Sequence, residues 1–138
     1  MLHLEIVTPE KKIFSDTVED VYLPAEEGEM GVLELHTALV TTLIAGELRY
    51  QKDGEVHELA IGNGFAEVSQ EKVSVLTDMA ADEAEIDEAS VEAAMKQAEE
   101  AINTLKHDGN LEEITHLQAT IGQSLAKLNL KRKRRKHI

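Results

Sequence analysis

Of the residue types that can do chemistry, the chain offers six histidines, many carboxylates and no cysteine. His3, His36, His57, His107, His116 and His137 show no His-x-His or His-Glu-x-x-His spacing, which would put two imidazoles on one face for a metal. No metal site is expected, and these histidines read as surface or interface residues. Without cysteine there is no thiol nucleophile, disulfide, thiolate zinc set or iron–sulfur cluster. Ser15, Ser69, Ser74, Ser90 and Ser124 sit in no nucleophile elbow. The acids Asp78, Asp82, Glu83, Glu85, Asp87 and Glu88 lack the glycine and terminal glutamate of a calcium loop. They read instead as a solvated linker with helix-capping carboxylates. Gly62-Asn63-Gly64 is too short and wrongly placed for a phosphate cradle. No acid, base and nucleophile converge, so no catalytic residue is expected.

Two other segments ask for an explanation. Residues 26–36 mix glycines, acids and apolar residues beyond the needs of a hairpin turn. Lys131, Arg132, Lys133, Arg134, Arg135 and Lys136 then hold six of the fourteen cations in a chain of net charge −13. The remaining eight cations face 27 acids, so the body repels phosphate and is a poor general nucleic-acid binder. The basic tip reads in two ways. It could close a helix at the negative end of its dipole, or dock on an acidic surface of protein, lipid or nucleic acid.

These residues need elements to position them, and composition divides the chain near residue 82. Both prolines, all four aromatics and most glycines precede that point; Ala, Glu, Lys, Gln and Leu dominate beyond it. In the first part apolar and polar residues alternate, as in Leu2, Leu4 and Ile6 against His3 and Glu5. Turn signals at Thr8-Pro9, Glu27-Gly28, Ala45-Gly46, Asp53-Gly54 and Gly62-Asn63-Gly64 separate such runs. The spacing implies seven to about ten strands, so a sandwich or a barrel; an antiparallel β-sandwich of about 8–10 strands over residues 1–83 is expected.

Residues 84–138 read as a helical hairpin, with helices over about 87–107 and 110–131 and a basic tail. Val91, Met95, Ala98, Ile102 and Leu105 form the first apolar seam; Leu111, Ile114, Leu117, Ile121, Leu125 and Leu128 form the second. Asp82 or Asp87 caps the first helix, Asp108-Gly109 ends it, and Asn110 with Glu113 makes a capping box for the next. An alanine-rich hairpin of this size buries too little to stand alone, so it must lean on the β part or on a partner. No apolar run is long enough to span a membrane. No signal peptide is read at Met1, and a cytosol-like compartment is expected.

In order and spacing, several runs resemble one family over nearly the full length. They are Leu4-Glu5-Ile6-Val7-Thr8-Pro9, Gly28-Glu29-Met30-Gly31-Val32, His36-Thr37-Ala38-Leu39-Val40-Thr41 and Ile61-Gly62-Asn63-Gly64-Phe65-Ala66-Glu67-Val68. Val73-Ser74-Val75-Leu76-Thr77-Asp78 follows and leads into Ala84-Glu85-Ile86-Asp87. The chain resembles the epsilon subunit of bacterial and chloroplast F-type ATP synthases. That resemblance implies a non-catalytic central-stalk subunit coupling gamma to the c-ring for proton-driven ATP synthesis. It implies a location on the cytoplasmic face of the bacterial plasma membrane. It further implies a hairpin with two states: folded against the sandwich, or extended into the alpha/beta catalytic head, where it blocks hydrolysis. By position, Glu29, Met30, Gly31, Val32 and His36 would face the c-ring and gamma. Lys131 to Lys136 would meet acidic residues of the beta subunits.

Two departures qualify the resemblance. The family has Pro-Gly before the loop histidine, where this chain has Glu34-Leu35-His36, so a different loop path is expected. Family members that bind ATP carry Ile/Leu-Asp-x-x-Arg-Ala, where this chain has Ile86, Asp87, Ser90 and Val91. Without that arginine, weak or no ATP binding is expected, and no cofactor. The alternative from another class is a free adaptor gripping nucleic acid or anionic membrane through its basic tail.

Overall fold

The computed structural model describes residues 1–105 and 110–136. The expected helix end at Asp108-Gly109, His107 and His137 lie outside the described residues, as do the side chains of Arg134, Arg135 and Lys136. The strands are β1 (Leu2–Val7), β2 (Lys12–Val18), β3 (Asp20–Ala25), β4 (Gly28–Leu33) and β5 (Leu39–Leu43). They continue with β6 (Gly46–Lys52), β7 (Glu55–Ile61), β8 (Gly64–Val68), β9 (Lys72–Thr77) and β10 (Ala80–Asp82). A 3-10 turn (Glu83–Glu85), α1 (Glu88–Leu105) and α2 (Leu111–Lys136) follow.

Alternation decides which side chains go inside. Leu2, Leu4 and Ile6 of β1 are fully buried, and the intervening His3 and Glu5 face outward. The strands run β10-β7-β6-β3-β5-β8-β9-β1-β2, with β4 on the free edge of β3. β3 carries the fold between layers: Asp20–Tyr22 pair with β6, and Ala25 pairs with Leu43 of β5. One core cluster joins Leu48, Leu59 and Ile61 to Leu4, Val73 and Val75, closing the sandwich. At its open edge Phe14 of β2 meets Tyr50 of β6, with ring centroids 4.7 Å apart.

One pairing departs from the antiparallel expectation. β1 runs parallel to β9, with Leu4 beside Val73 and Ile6 beside Val75. Only strands joined by a tight turn must run antiparallel, and here most of the domain lies between the two. At the β6–β7 turn the expectation holds: Asp53 and Gly54 both take positive φ, 53° and 77°, as a two-residue hairpin requires. Gly64 crosses so close to β9 that an added Cβ would lie 1.9 Å from the Leu76 carbonyl oxygen.

The helices form an antiparallel hairpin against the outer face of β6 and β7. Val91, Met95, Ile102 and Leu105 of α1 are half-buried and Ala98 is buried, as the first seam requires. The second seam is only partly right. Leu111 is 77% and Leu125 45% exposed, whereas Ser124, Ala126 and Leu130 are buried. α2 serves two neighbours, α1 and the sheet, so its covered arc is wider than one heptad stripe and rotated from it. Its length also differs from expectation: it runs to Lys136, so the basic run is helix through that residue. Lys and Arg are good helix formers and suit the C-terminal end of the dipole.

Ala60 of β7, Ala81 of β10, Ile86, Ala126 and Leu130 form a second, smaller buried cluster. Small residues face each other across this joint. An added Cβ on Gly122 would lie 3.4 Å from the Ala45 Cβ. Close approach is thus achieved with little apolar area, and the expected support from the sandwich is present.

Candidate functional site

The root of the hairpin is built by carboxylates that cap successive turns. Asp82 accepts from the Glu85 N–H at 3.1 Å while the Glu85 carboxylate accepts the Asp82 N–H at 3.4 Å, a complete capping box on the 3-10 turn. Asp87 begins α1. The Ser90 hydroxyl donates to its Oδ2 at 2.7 Å, and the Val91 N–H donates to its carbonyl at 3.0 Å. The Ser90 hydroxyl is the chief cause that holds the Asp87 carboxyl below its usual pKa, helped by the Ser90 and Ala89 N–H groups and the Lys131 charge. Both expected caps are used, on different turns. At the start of α2 the Asn110 side-chain oxygen accepts the Glu112 N–H at 2.9 Å.

The degenerate nucleotide motif is dispersed by this packing. Ile86 is buried in the small cluster and Val91 packs against it, while Asp87 and Ser90 bond to each other. Among the described residues no group of three or more His, Asp or Glu could hold a metal ion.

The last turns of α2 bring the tip back to this root. Lys131 Nζ lies 3.1 Å from Glu83 Oε1 and also donates to the Glu83 carbonyl at 3.3 Å. Arg132 reaches across α1, at 3.1 Å from Glu88 and 2.7 Å from Glu92. Lys133 Nζ donates to Glu58 at 3.0 Å and to Glu47 at 3.2 Å on the sheet. Successive helical residues point about 100° apart, so three neighbours seat on a turn, a helix and a sheet. The Glu58 bond is the main influence raising the Lys133 pKa, and the Glu88 bond does the same for Arg132. These acids lie 40 to 86 residues away in sequence, and no local pattern announces them.

The other candidate segment lies on β4 and the loop beyond. Val32 was expected to meet partners, but it is fully buried opposite Val21. Strand alternation turns Val32, and in part Met30, into the core. Glu29 and Gly31 do face outward. Glu29 pairs with Arg49 at 2.8 Å, and the Arg49 guanidinium lies 5.0 Å over the Tyr22 ring. His36 is half-buried, with Nδ1 2.8 Å from the Thr37 carbonyl.

Two large apolar residues of this segment are exposed, Leu33 and Leu35, and neither is among the five expected partner contacts. Leu35 is 69% exposed and has φ of 68°, a left-handed conformation for which glycine is the usual residue. Its N–H donates to the Gln70 carbonyl at 2.9 Å, which ties the loop to the β8–β9 turn. The outer face of β5, β8 and β9 is also open. Val40, Phe65 and Leu76 are exposed there, and a shallow cavity of about 580 Å³ lies beside Val40, Glu67, Lys72 and Ser74.

Residues 1–83 match the family of the ATP synthase delta/epsilon chain beta-sandwich domain. The ATP synthase epsilon chain of Nitrosococcus oceani is 38% identical over 138 residues, covering 99% of this chain and 96% of that one. This chain belongs to the ATP synthase epsilon chains. The epsilon chain of Pelotomaculum thermopropionicum is 44% identical over 99 residues, covering 72% of this chain and 74% of that one. The fold is shared with a chain in the cryo-EM structure of the Euglena gracilis mitochondrial ATP synthase OSCP/F1/c-ring in rotational state 1. There the TM-score is 0.74 at 23% identity, covering 93% of this chain and 79% of that one. In this epsilon chain the hairpin is folded against the sandwich. Among the described residues no helix is long and apolar enough to cross a membrane.

Proposed function

We propose that this epsilon chain is a non-catalytic rotor subunit of the central stalk that couples gamma to the c-ring and whose hairpin restrains ATP hydrolysis. The observation that carries this reading is the contrast at the hairpin joint. A full-size helix pair rests on a small alanine-rich cluster and a ring of ion pairs, which suits a unit that can leave. In the assembly, the open face with Val40, Phe65 and Leu76 and the end with Leu33 and Leu35 are the surfaces available to gamma and the c-ring. On extension, the basic tip exchanges its own acids for acidic residues of the beta subunits. The chain then works on the cytoplasmic face of the bacterial plasma membrane, bound there through the complex.

Nucleotide plays no part in this reading. The Arg132 guanidinium at the start of α1 is taken by Glu88 and Glu92, and Lys131 by Glu83, so phosphate would have to displace carboxylates. Isothermal titration with Mg-ATP is expected to show no micromolar binding, and a micromolar affinity would refute this part. For the brake, deletion of residues 131–138 in the assembled enzyme is expected to raise ATP hydrolysis and lessen its sensitivity to salt. Unchanged hydrolysis would sink the brake.

A further inference from the structure

Glu47 and Glu58 sit as diagonal neighbours on the outer face of the β6–β7 pair, since Glu47 faces Ala60 and Glu58 faces Arg49 across the ladder. α2 covers both, leaving their side chains only 24% and 14% exposed. Two partly covered carboxylates so close repel each other unless a cation joins them. Arg49 stands opposite Glu58 in register, but its guanidinium is drawn to Glu29 and Tyr22 instead. Among the described residues, the ion pairs of both acids go to Lys133. Lys133 follows Ala126 and Leu130 at spacings of seven and three, so it shares the helix face that enters the alanine cluster. The apolar anchor and the lysine therefore fix one register of α2 on the sheet.

We propose that Lys133, bridging Glu47 and Glu58, is the key of an internal clasp that holds the hairpin closed, released by salt or by an outside acidic protein surface competing for the lysine. Arg132 on Glu88 and Glu92 is more exposed, and its pairs join the two helices to each other rather than to the sandwich. It therefore adds less to closure. Removing the lysine strands two covered carboxylates, whereas removing the carboxylates leaves a flexible ammonium that can reach water. The effects should fall in that order. The clasp rests on this chain's own geometry and does not depend on which partner the assembled complex offers.

The absence of native cysteine allows a direct test on the full chain. Spin labels on Glu55→Cys and Gln118→Cys, both exposed positions, report the separation of α2 from the sheet. Lys133→Gln is expected to raise the open fraction about fivefold, Glu47→Gln/Glu58→Gln by less, and Arg132→Gln least. Raising NaCl from about 0.05 to about 1 M should open the parent chain and change Lys133→Gln little. Urea unfolding of the sandwich serves as the control in every variant. If Lys133→Gln disturbs the sandwich itself, the double glutamine variant decides the question. Matching distance distributions and salt responses in parent and clasp variants would overturn the proposal. So would a response to Arg132→Gln as large as that to Lys133→Gln.

Discussion

The two buried clusters of this epsilon chain are built on opposite principles. The sandwich interior is closed by large aliphatics from both layers, many of them without any solvent contact. The hairpin joint holds three alanines, one isoleucine and one leucine in its buried part, rimmed by lysine and arginine pairs. Burying a large aliphatic side chain contributes about 1.5–3 kcal/mol, and an alanine far less. The first cluster makes a body that stays folded; the second makes a contact that can be exchanged. Detachability here is a matter of side-chain size and of interactions that ions can replace.

The largest test of that contrast is a pair of matched truncations. Leu4→Ala should lower the urea-unfolding free energy of the sandwich by about 2–5 kcal/mol. Leu130→Ala should leave that transition close to the parent while increasing amide exchange throughout α2. If both variants shifted the sandwich equally, the joint would be part of the core and the contrast would fail. The clasp variants come next, with a severalfold change in the open population and little change in the sandwich.

Acid tests the root of the hairpin. The Asp87 carboxyl is held below its ordinary value of 3.8, so its contribution is present above that pH and lost as pH falls through the lower folded value. Amides in the first turn of α1 should lose exchange protection over that window, while those of β1 and β9 stay protected. Equal loss in both would show that acid acts on the whole fold. The smallest expected effect is at the far end of the sandwich. Leu35→Gly relieves a left-handed leucine and should add about 0.5–1 kcal/mol to sandwich stability without altering hairpin opening. A loss of stability would mean that the Leu35 side chain contributes more than its backbone strain costs.

The parts of the fold that were legible in sequence are those governed by near neighbours. Alternation in Leu2-His3-Leu4-Glu5-Ile6 gave the inward face of β1, and Asp53-Gly54 gave the β6–β7 hairpin. Misreadings arose where a residue's surroundings come from afar. By its position in the family resemblance Val32 is expected to face a partner, but β4 pairs with β3 and turns it inward. Leu125 fitted a heptad seam, yet a sheet unseen by the heptad took Ala126 and Leu130 instead. Strand direction in the β1–β9 pair was hidden for the same reason.

Sequence by itself determined a β part and a helical part, Asp82 and Asp87 as alternative caps for the first helix, and a cationic stretch at the far end. Periodicity, capping and charge are properties of adjacent residues, so the chain states them locally. Only the tertiary structure decided where those cations go. Lys133 meets Glu58 from 75 residues away, and nothing in either neighbourhood selects the other. The meeting depends on β6 and β7 lying side by side and on α2 returning over them. That arrangement follows from burying Ala60, Ala126 and Leu130 together, and it turns what read as a basic tail into the clasped end of a helix.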